Sequence, residues 1–201
     1  MNFTGKTLLF LFCSLFFSTK IKSQNTAVDS LKNELFVHTQ KDSTRVNLLN
    51  ELAYSYHNED FDTAKVYIEE SEDIADAIGF TKGKAKSIYV RGVLEAVESN
   101  YRKGFSRYKE AIELYKTIAW EDGIAECYKD MGVFMYNNGD QKQAIAYYTK
   151  ALEILNEFGK KKEIAWILYE IGWSYIDIDN YSDARAHLLK ALKINEEIGN
   201  E

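Results

Sequence analysis

The chain has 201 residues, of which 46% are apolar and 28% are charged, values typical of a globular protein rather than a disordered one. Its formal net charge of −6 disfavours binding to nucleic acid or to anionic lipid. Proline is absent from the whole sequence. Because proline breaks helices, its absence predicts long uninterrupted helices and an all-α fold.

Residues 1–23 have the layout of a secretory signal peptide. Lys6 precedes the apolar run Leu8–Phe17, and a polar segment containing two lysines follows it. The run is shorter than the roughly 20 residues that a membrane-spanning helix needs. Phe12 stands where a lipobox needs a small residue, so Cys13 is interpreted as part of the apolar run. The sequence therefore predicts export, to the periplasm or the extracellular space, with cleavage near Ser23. Removing this segment would leave 22 basic and 31 acidic residues, a net charge of −9.

The remainder has a period of 40 residues, a length that indicates a helical solenoid. The four units are residues 41–80, 81–120, 121–160 and 161–200. Good helix N-caps recur in one column, at Asp60, Asn100, Asp140 and Asn180. A second column marks helix ends, at Gly79, Ala119, Gly159 and Gly199, where alanine is the exception.

Two amphipathic helices per unit lie between these marks. The first, here called helix A, is predicted near 42–58, 83–99, 122–138 and 162–178. The second, helix B, is predicted near 61–78, 101–118, 141–158 and 181–198. Residues 24–40 precede the first unit, and Leu31, Leu35 and Phe36 form a short apolar stripe there. We expect this segment to be an N-terminal helix that covers the open end of the first unit, as solenoids require.

MGVFMYNNGDQKQAIAYYTKAL (131–152) and IGWSYIDIDNYSDARAHLLKAL (171–192) resemble the tetratricopeptide repeat (TPR) pattern. The resemblance implies an α-solenoid, a right-handed superhelix of four helix-turn-helix repeats, in a variant with helices longer than the usual repeat of about 34 residues allows. The first unit fits only if its helix A is displaced by one residue. The second has Arg91 and Glu95 at apolar positions and Gly104 in place of alanine, so we expect it to be the least stable unit.

The resemblance also implies a concave groove, lined by helix A residues, that takes a peptide or protein segment. Carried onto this sequence, the groove positions are Tyr54, His57, Tyr89, Val93, Lys129, Tyr136, Trp166, Tyr169 and Trp173. Tyrosine and tryptophan dominate binding energy at interfaces, although some of these side chains are expected to pack between repeats instead. Of the positions that hold a peptide carboxylate in chaperone-binding relatives, only Lys129 is basic, so a carboxylate clamp is not supported.

Motifs for catalysis, metal binding or a cofactor are absent from the sequence. His38, His57 and His187 lie in different elements without the spacing of metal ligands. Residues 106–109 read SRYK, but they fall within a predicted helix and lack the companion motifs of serine enzymes. Cys127, the single cysteine after residue 23, is interpreted as a small buried apolar residue.

The first hypothesis is therefore an exported, non-enzymatic scaffold that binds a protein or peptide. Long-repeat arrays behind a signal peptide resemble the sensor regions of bacterial signalling proteins, so the chain is interpreted as the sensor portion of a larger protein or as a stand-alone scaffold. The alternatives are a cytoplasmic-type, peptide-responsive regulator, or an enzyme fragment, such as a histidine kinase or cyclase whose output domain is missing.

The C-terminal stretch INEEIGNE ends at Glu201, which is the first residue of a fifth unit. Leu188, Leu192 and Trp173 are then expected on a face that further repeats or a second copy of the chain would cover. Truncation of a longer array is the favoured interpretation, because monomers rarely expose such apolar area.

Overall fold

Nine helices make up the described part of the chain, residues 27–98 and 100–199 of a computed structural model. Helix α1 covers residues 27–37. The A helices are α2 (Ser43–Ser55), α4 (Thr81–Val97), α6 (Glu121–Asn137) and α8 (Lys161–Ile176). The B helices are α3 (Phe61–Ile78), α5 (Tyr101–Thr117), α7 (Gln141–Glu157) and α9 (Tyr181–Glu197). The all-α prediction of paired helices is confirmed. The predicted signal peptide lies outside the described residues.

Most B helices begin at the predicted capping residues. The side chains of Asp60, Asp140 and Asn180 each accept a hydrogen bond from the backbone N–H three residues later. Such a bond satisfies a backbone donor that has no partner within the helix. Asn100 occupies the same position before α5 but makes no capping bond with its side chain.

The four predicted ends of the B helices share a left-handed backbone. Gly79, Gly159 and Gly199 have φ of 69°, 62° and 68°. Ala119 takes the same conformation with φ of 50°. A Cβ disfavours this region, so Ala119 holds a strained backbone that the surrounding repeat imposes.

Each A helix packs against the B helix of its own unit, and each B helix packs against the next A helix. In addition, α2 contacts α4 and α4 contacts α6, so successive A helices approach one another directly. The A helices therefore form the inner side of the stack. No helix of the described residues is both long and apolar enough to span a membrane.

Small residues allow the paired helices to approach closely. A Cβ added at Gly132 would lie 2.5 Å from the ring of Tyr148, a fully buried side chain of α7. A Cβ added at Gly104 would lie 2.8 Å from the carbonyl oxygen of Gly92. The glycine that the sequence marks as a weak point of the second unit is thus what lets α5 meet α4.

The two charged residues at apolar positions of the second unit, Arg91 and Glu95, pair with different helices. Arg91 binds Glu72 of α3 with two hydrogen bonds, of 3.1 and 2.6 Å, rather than Glu95 on its own helix. Glu95 lies 3.8 Å from Arg107 instead. Arg91 thus joins the first unit to the second, although the repeat pattern has an apolar residue at its position.

The two ends of the stack are covered to different extents. At the first, Leu35 of α1 packs against the buried cluster of Val46 and Leu49, whereas Phe36 is 84% exposed and does not join the apolar stripe. At the second, Leu192 of α9 is 53% exposed. Trp173 is exposed as well, whereas Leu188, which was expected on the same face, is half-buried and lies against Gly172.

Candidate functional site

Side chains of successive A helices meet on the inner side of the stack and form one continuous face. The rings of Tyr54 (α2) and Tyr89 (α4) stack with their centroids 6.4 Å apart. Lys86 of α4 donates a 2.7 Å hydrogen bond to Glu126 of α6. Further along, the Nζ atom of Lys129 (α6) lies 6.0 Å from the centroid of the Trp166 ring (α8). We call this surface the inner face.

Most of the predicted groove residues lie on or beside the inner face. Tyr54, Trp166, Tyr169 and Trp173 are exposed, and Lys129 and Tyr136 are half-buried. His57 lies in the turn after α2, where its ring stacks on that of Tyr54 at 4.9 Å. The aromatic side chains are concentrated on α8, where Tyr169 and Trp173 meet edge to face at 6.0 Å.

The prediction that Tyr89 and Val93 line the groove is wrong. Tyr89 is completely buried and Val93 is 8% exposed, so neither side chain is available to a partner. Tyr89 instead donates a 2.6 Å hydrogen bond to Asp130 of α6. These two residues support the inner face from beneath because the next A helix covers them.

Three charged residues of the inner face do not appear among the predicted positions. Lys86 and Glu126 form an ion pair across α4 and α6, and Asp130 lies 3.5 Å from Lys129. Burial raises the pKa of Asp130, while the Lys129 ammonium and the Tyr89 hydroxyl oppose that shift. The sequence does contain a signal for the Lys86–Glu126 pair, because the two residues are one 40-residue period apart and therefore occupy equivalent positions on successive A helices.

A cavity of about 590 Å³ opens along the N-terminal ends of α4, α6 and α8. Charged residues of both signs line it: Glu51, Lys82, Lys86, Asp122, Glu126, Lys129, Lys160 and Glu163. Trp120 also lines it, with the Nζ atom of Lys82 only 3.3 Å from its ring centroid. Lys160 pairs with Asp122 at 3.4 Å. The cavity is polar, and its charges are largely neutralised within the protein.

Asn50 lies in the wall of this cavity and is 2% exposed. Its Nδ2 donates a 3.1 Å hydrogen bond to the carbonyl oxygen of Gly83. Its Oδ1 has no hydrogen-bond partner within residues 27–98 and 100–199. A buried amide oxygen without a partner is costly, so this atom is a point at which a bound polar group would be stabilised.

Three candidate features for chemistry in the described residues are metal ligands, Cys127 and Ser106. No group of three or more His, Cys, Asp or Glu side chains within this part of the chain could hold a metal ion. Cys127 is buried, and burial raises the pKa of its thiol, so the reactive thiolate is disfavoured. Ser106 is exposed on α5, away from the inner face.

Comparison with known families matches residues 123–197, which span α6 to α9, to the tetratricopeptide repeat model. The third and fourth units are therefore tetratricopeptide repeats. Because the first two units have the same A and B pairing, the TPR-type solenoid extends through all eight helices from α2 to α9. No curated protein sequence matches the chain.

Solved structures support the same fold at low sequence identity. A Rap protein complexed with Competence and Sporulation Factor has a TM-score of 0.77 and 19% identity over 90% of this chain, which spans 52% of that protein. BtubC from P. vanneervenii has a TM-score of 0.69 and 17% identity over 91% of this chain and 77% of its own. MamA has a TM-score of 0.57 and 18% identity, covering 91% and 95%.

Proposed function

We propose that the inner face of the TPR array binds a segment of another protein or a peptide, and that the chain is a non-enzymatic scaffold. The observation that carries the proposal is the exposure of Trp166, Tyr169 and Trp173 on one side of α8. Residues at these spacings share a face of a helix. Tryptophan and tyrosine are the side chains that most often supply binding energy at interfaces.

Burial of these three rings under a partner would contribute to binding. They are 39%, 46% and 39% exposed. Since each such ring buries roughly 150–250 Å² in an interface, their exposed parts leave on the order of 200 Å² for a partner, or about 5 kcal/mol of burial.

The fold supports the same function. The Rap protein, which has this solenoid fold, was solved in a complex with Competence and Sporulation Factor. Protein or peptide binding is the general role of TPR scaffolds. The buried Asp130–Tyr89 hydrogen bond and the Lys86–Glu126 pair hold the A helices in register, which keeps the binding face rigid.

Site-specific photo-crosslinking in the source cells tests the proposal. A benzophenone amino acid replaces Tyr169 in one variant and Val66, which is exposed on α3, in a control. We expect a discrete crosslinked partner from position 169 and none from position 66. In co-purification without a crosslinker, the double substitution Trp173→Ala with Tyr169→Ala should abolish recovery of that partner while helicity by circular dichroism stays near wild type. Crosslinking from position 66 alone would place binding on another face and overturn the proposal.

We also propose that the scaffold is exported and serves as the sensor portion of a larger bacterial signalling protein. The basic start and the apolar run Leu8–Phe17 support export. N-terminal sequencing of the purified protein should find a start near Gln24; an intact Met1 would favour a cytoplasmic regulator. Sequencing the gene beyond the codon for Glu201 should reveal further repeats and an output domain, whereas a stop codon would favour a stand-alone scaffold.

A further inference from the structure

We propose that the α8 end of the inner face binds a cationic side chain, lysine or arginine, of the partner segment. This inference rests on the proposed function of the inner face and specifies the partner's chemistry there. The site consists of the rings of Tyr169, Trp173 and Tyr136 with the carboxylates of Glu170 and Asp177.

The first observation is the arrangement of the rings. Tyr169 and Trp173 are exposed and meet edge to face, so ring faces remain open to the solvent. Tyr136 of α6 reaches the C-terminal end of α8, where a hydrogen bond to the Asp177 carboxylate raises the pKa of its hydroxyl group. The face of an aromatic ring attracts a cation, most strongly for tryptophan.

The second observation is the charge among these rings. Glu170 precedes the last turn of α8 and is half-buried, and burial raises the pKa of its carboxyl group. Asp177 follows α8 directly and accepts a 3.5 Å hydrogen bond from the neutral Gln141. Neither carboxylate forms an ion pair within residues 27–98 and 100–199. A partially desolvated carboxylate without a cation is stabilised when a cation arrives.

Between α4 and α6, by contrast, charged residues of the inner face already have partners of opposite charge. There Lys86 pairs with Glu126 at 2.7 Å, and Lys129 lies 3.5 Å from Asp130, so those charges are already balanced. Lys129 also lies 6.0 Å from the ring of Trp166, which shows that an ammonium is accommodated against this group of aromatic residues. The α8 end differs because Glu170 and Asp177 leave unpaired negative charge beside its rings. An anionic segment would meet two carboxylates there, whereas a cationic one would neutralise them.

A defined peptide library tests this inference. The probe is a positional-scanning library of short peptides with acetylated and amidated ends, so that only side chains carry charge. Binding is measured with the full chain. We expect selection of arginine or lysine at one position, next to apolar positions. Selection of acidic or only neutral residues would overturn the inference while leaving the inner face as a binding site. Failure to select any peptide would also overturn it, because the inference requires that a basic side chain in an extended segment binds here.

Two variants then locate the cation on the structure. Glu170→Gln keeps the shape of the side chain and removes its charge, so affinity for the selected basic peptide should fall about tenfold. Glu153→Gln removes the same charge from an exposed position of α7 and should leave affinity unchanged. A peptide whose lysine or arginine is replaced by norleucine should bind both variants equally. Equal losses in Glu170→Gln and Glu153→Gln would indicate attraction to the overall negative charge and would overturn the assignment. Crosslinking from position 169 tests the groove itself and does not depend on the partner's charge.

Discussion

Tyr148 offers a sharp test of the packing between the third and fourth units. Its side chain is fully buried on α7, yet within the described residues its hydroxyl group has no hydrogen-bond partner. Tyr148→Phe removes that hydroxyl and keeps the ring that packs over Gly132. A buried polar group without a partner carries a desolvation cost of about 1–3 kcal/mol. We therefore expect the substitution to raise the free energy of unfolding by about 1 kcal/mol.

Tyr89 provides a control of the same size and burial. It is also fully buried, but its hydroxyl donates a 2.6 Å hydrogen bond to the Asp130 carboxylate. A hydrogen bond to a charged group contributes roughly 1.5–3 kcal/mol. Tyr89→Phe should therefore lower the free energy of unfolding by about 2 kcal/mol. The two substitutions are chemically identical and are expected to have opposite signs.

Urea denaturation and thermal melting, both followed by circular dichroism at the helix band, measure the two changes. For a protein of this size, 1 kcal/mol corresponds to a shift of about 2–4 °C in melting temperature. Tyr148→Phe should melt above wild type and Tyr89→Phe below it. A loss of stability in Tyr148→Phe would refute the reasoning, because it would show that this hydroxyl is hydrogen-bonded in the folded protein.

Three further predictions concern the backbone, close packing and pH. Ala119→Gly should stabilise the protein by about 1 kcal/mol because glycine adopts the left-handed backbone conformation without the strain that a Cβ causes. Gly159→Ala should destabilise the protein by a similar amount, and thermal melts compare the two variants. Gly104→Ala should cost about 1–3 kcal/mol despite alanine's higher helix propensity, since the added methyl meets the Gly92 carbonyl; urea denaturation measures the loss. Burial raises the pKa of Glu170 above its ordinary value of 4.5, so the folded protein favours the protonated carboxyl group. Its contribution to stability is fully present below pH 4.5 and is lost as the pH rises through the pKa of the folded state. Relative to Glu170→Gln, wild type should thus lose stability across that window in pH-dependent denaturation.

The helices and their spacing are local properties, and the sequence alone predicts them. The absence of proline and the 40-residue period specify two helices per unit. Capping depends on residues within one turn, so Asp60 and Asp140 are recognisable without tertiary information. Gly104 shows the limit of such reasoning. Its helix propensity is poor, but only the packing of α5 on α4 reveals that a side chain there would meet a backbone carbonyl.

Exposure on the inner face is decided by the tertiary structure. Tyr89 and Tyr169 occupy equivalent positions, two periods of 40 residues apart, and the repeat pattern treats them alike. Tyr89 is buried because α6 covers it and Asp130 accepts its hydroxyl hydrogen, whereas no further A helix follows α8 in the described residues and Tyr169 is exposed. The sequence determined which positions face inward. The neighbouring helix decided which of them support the surface and which form it, because burial depends on contacts between units that are distant along the chain.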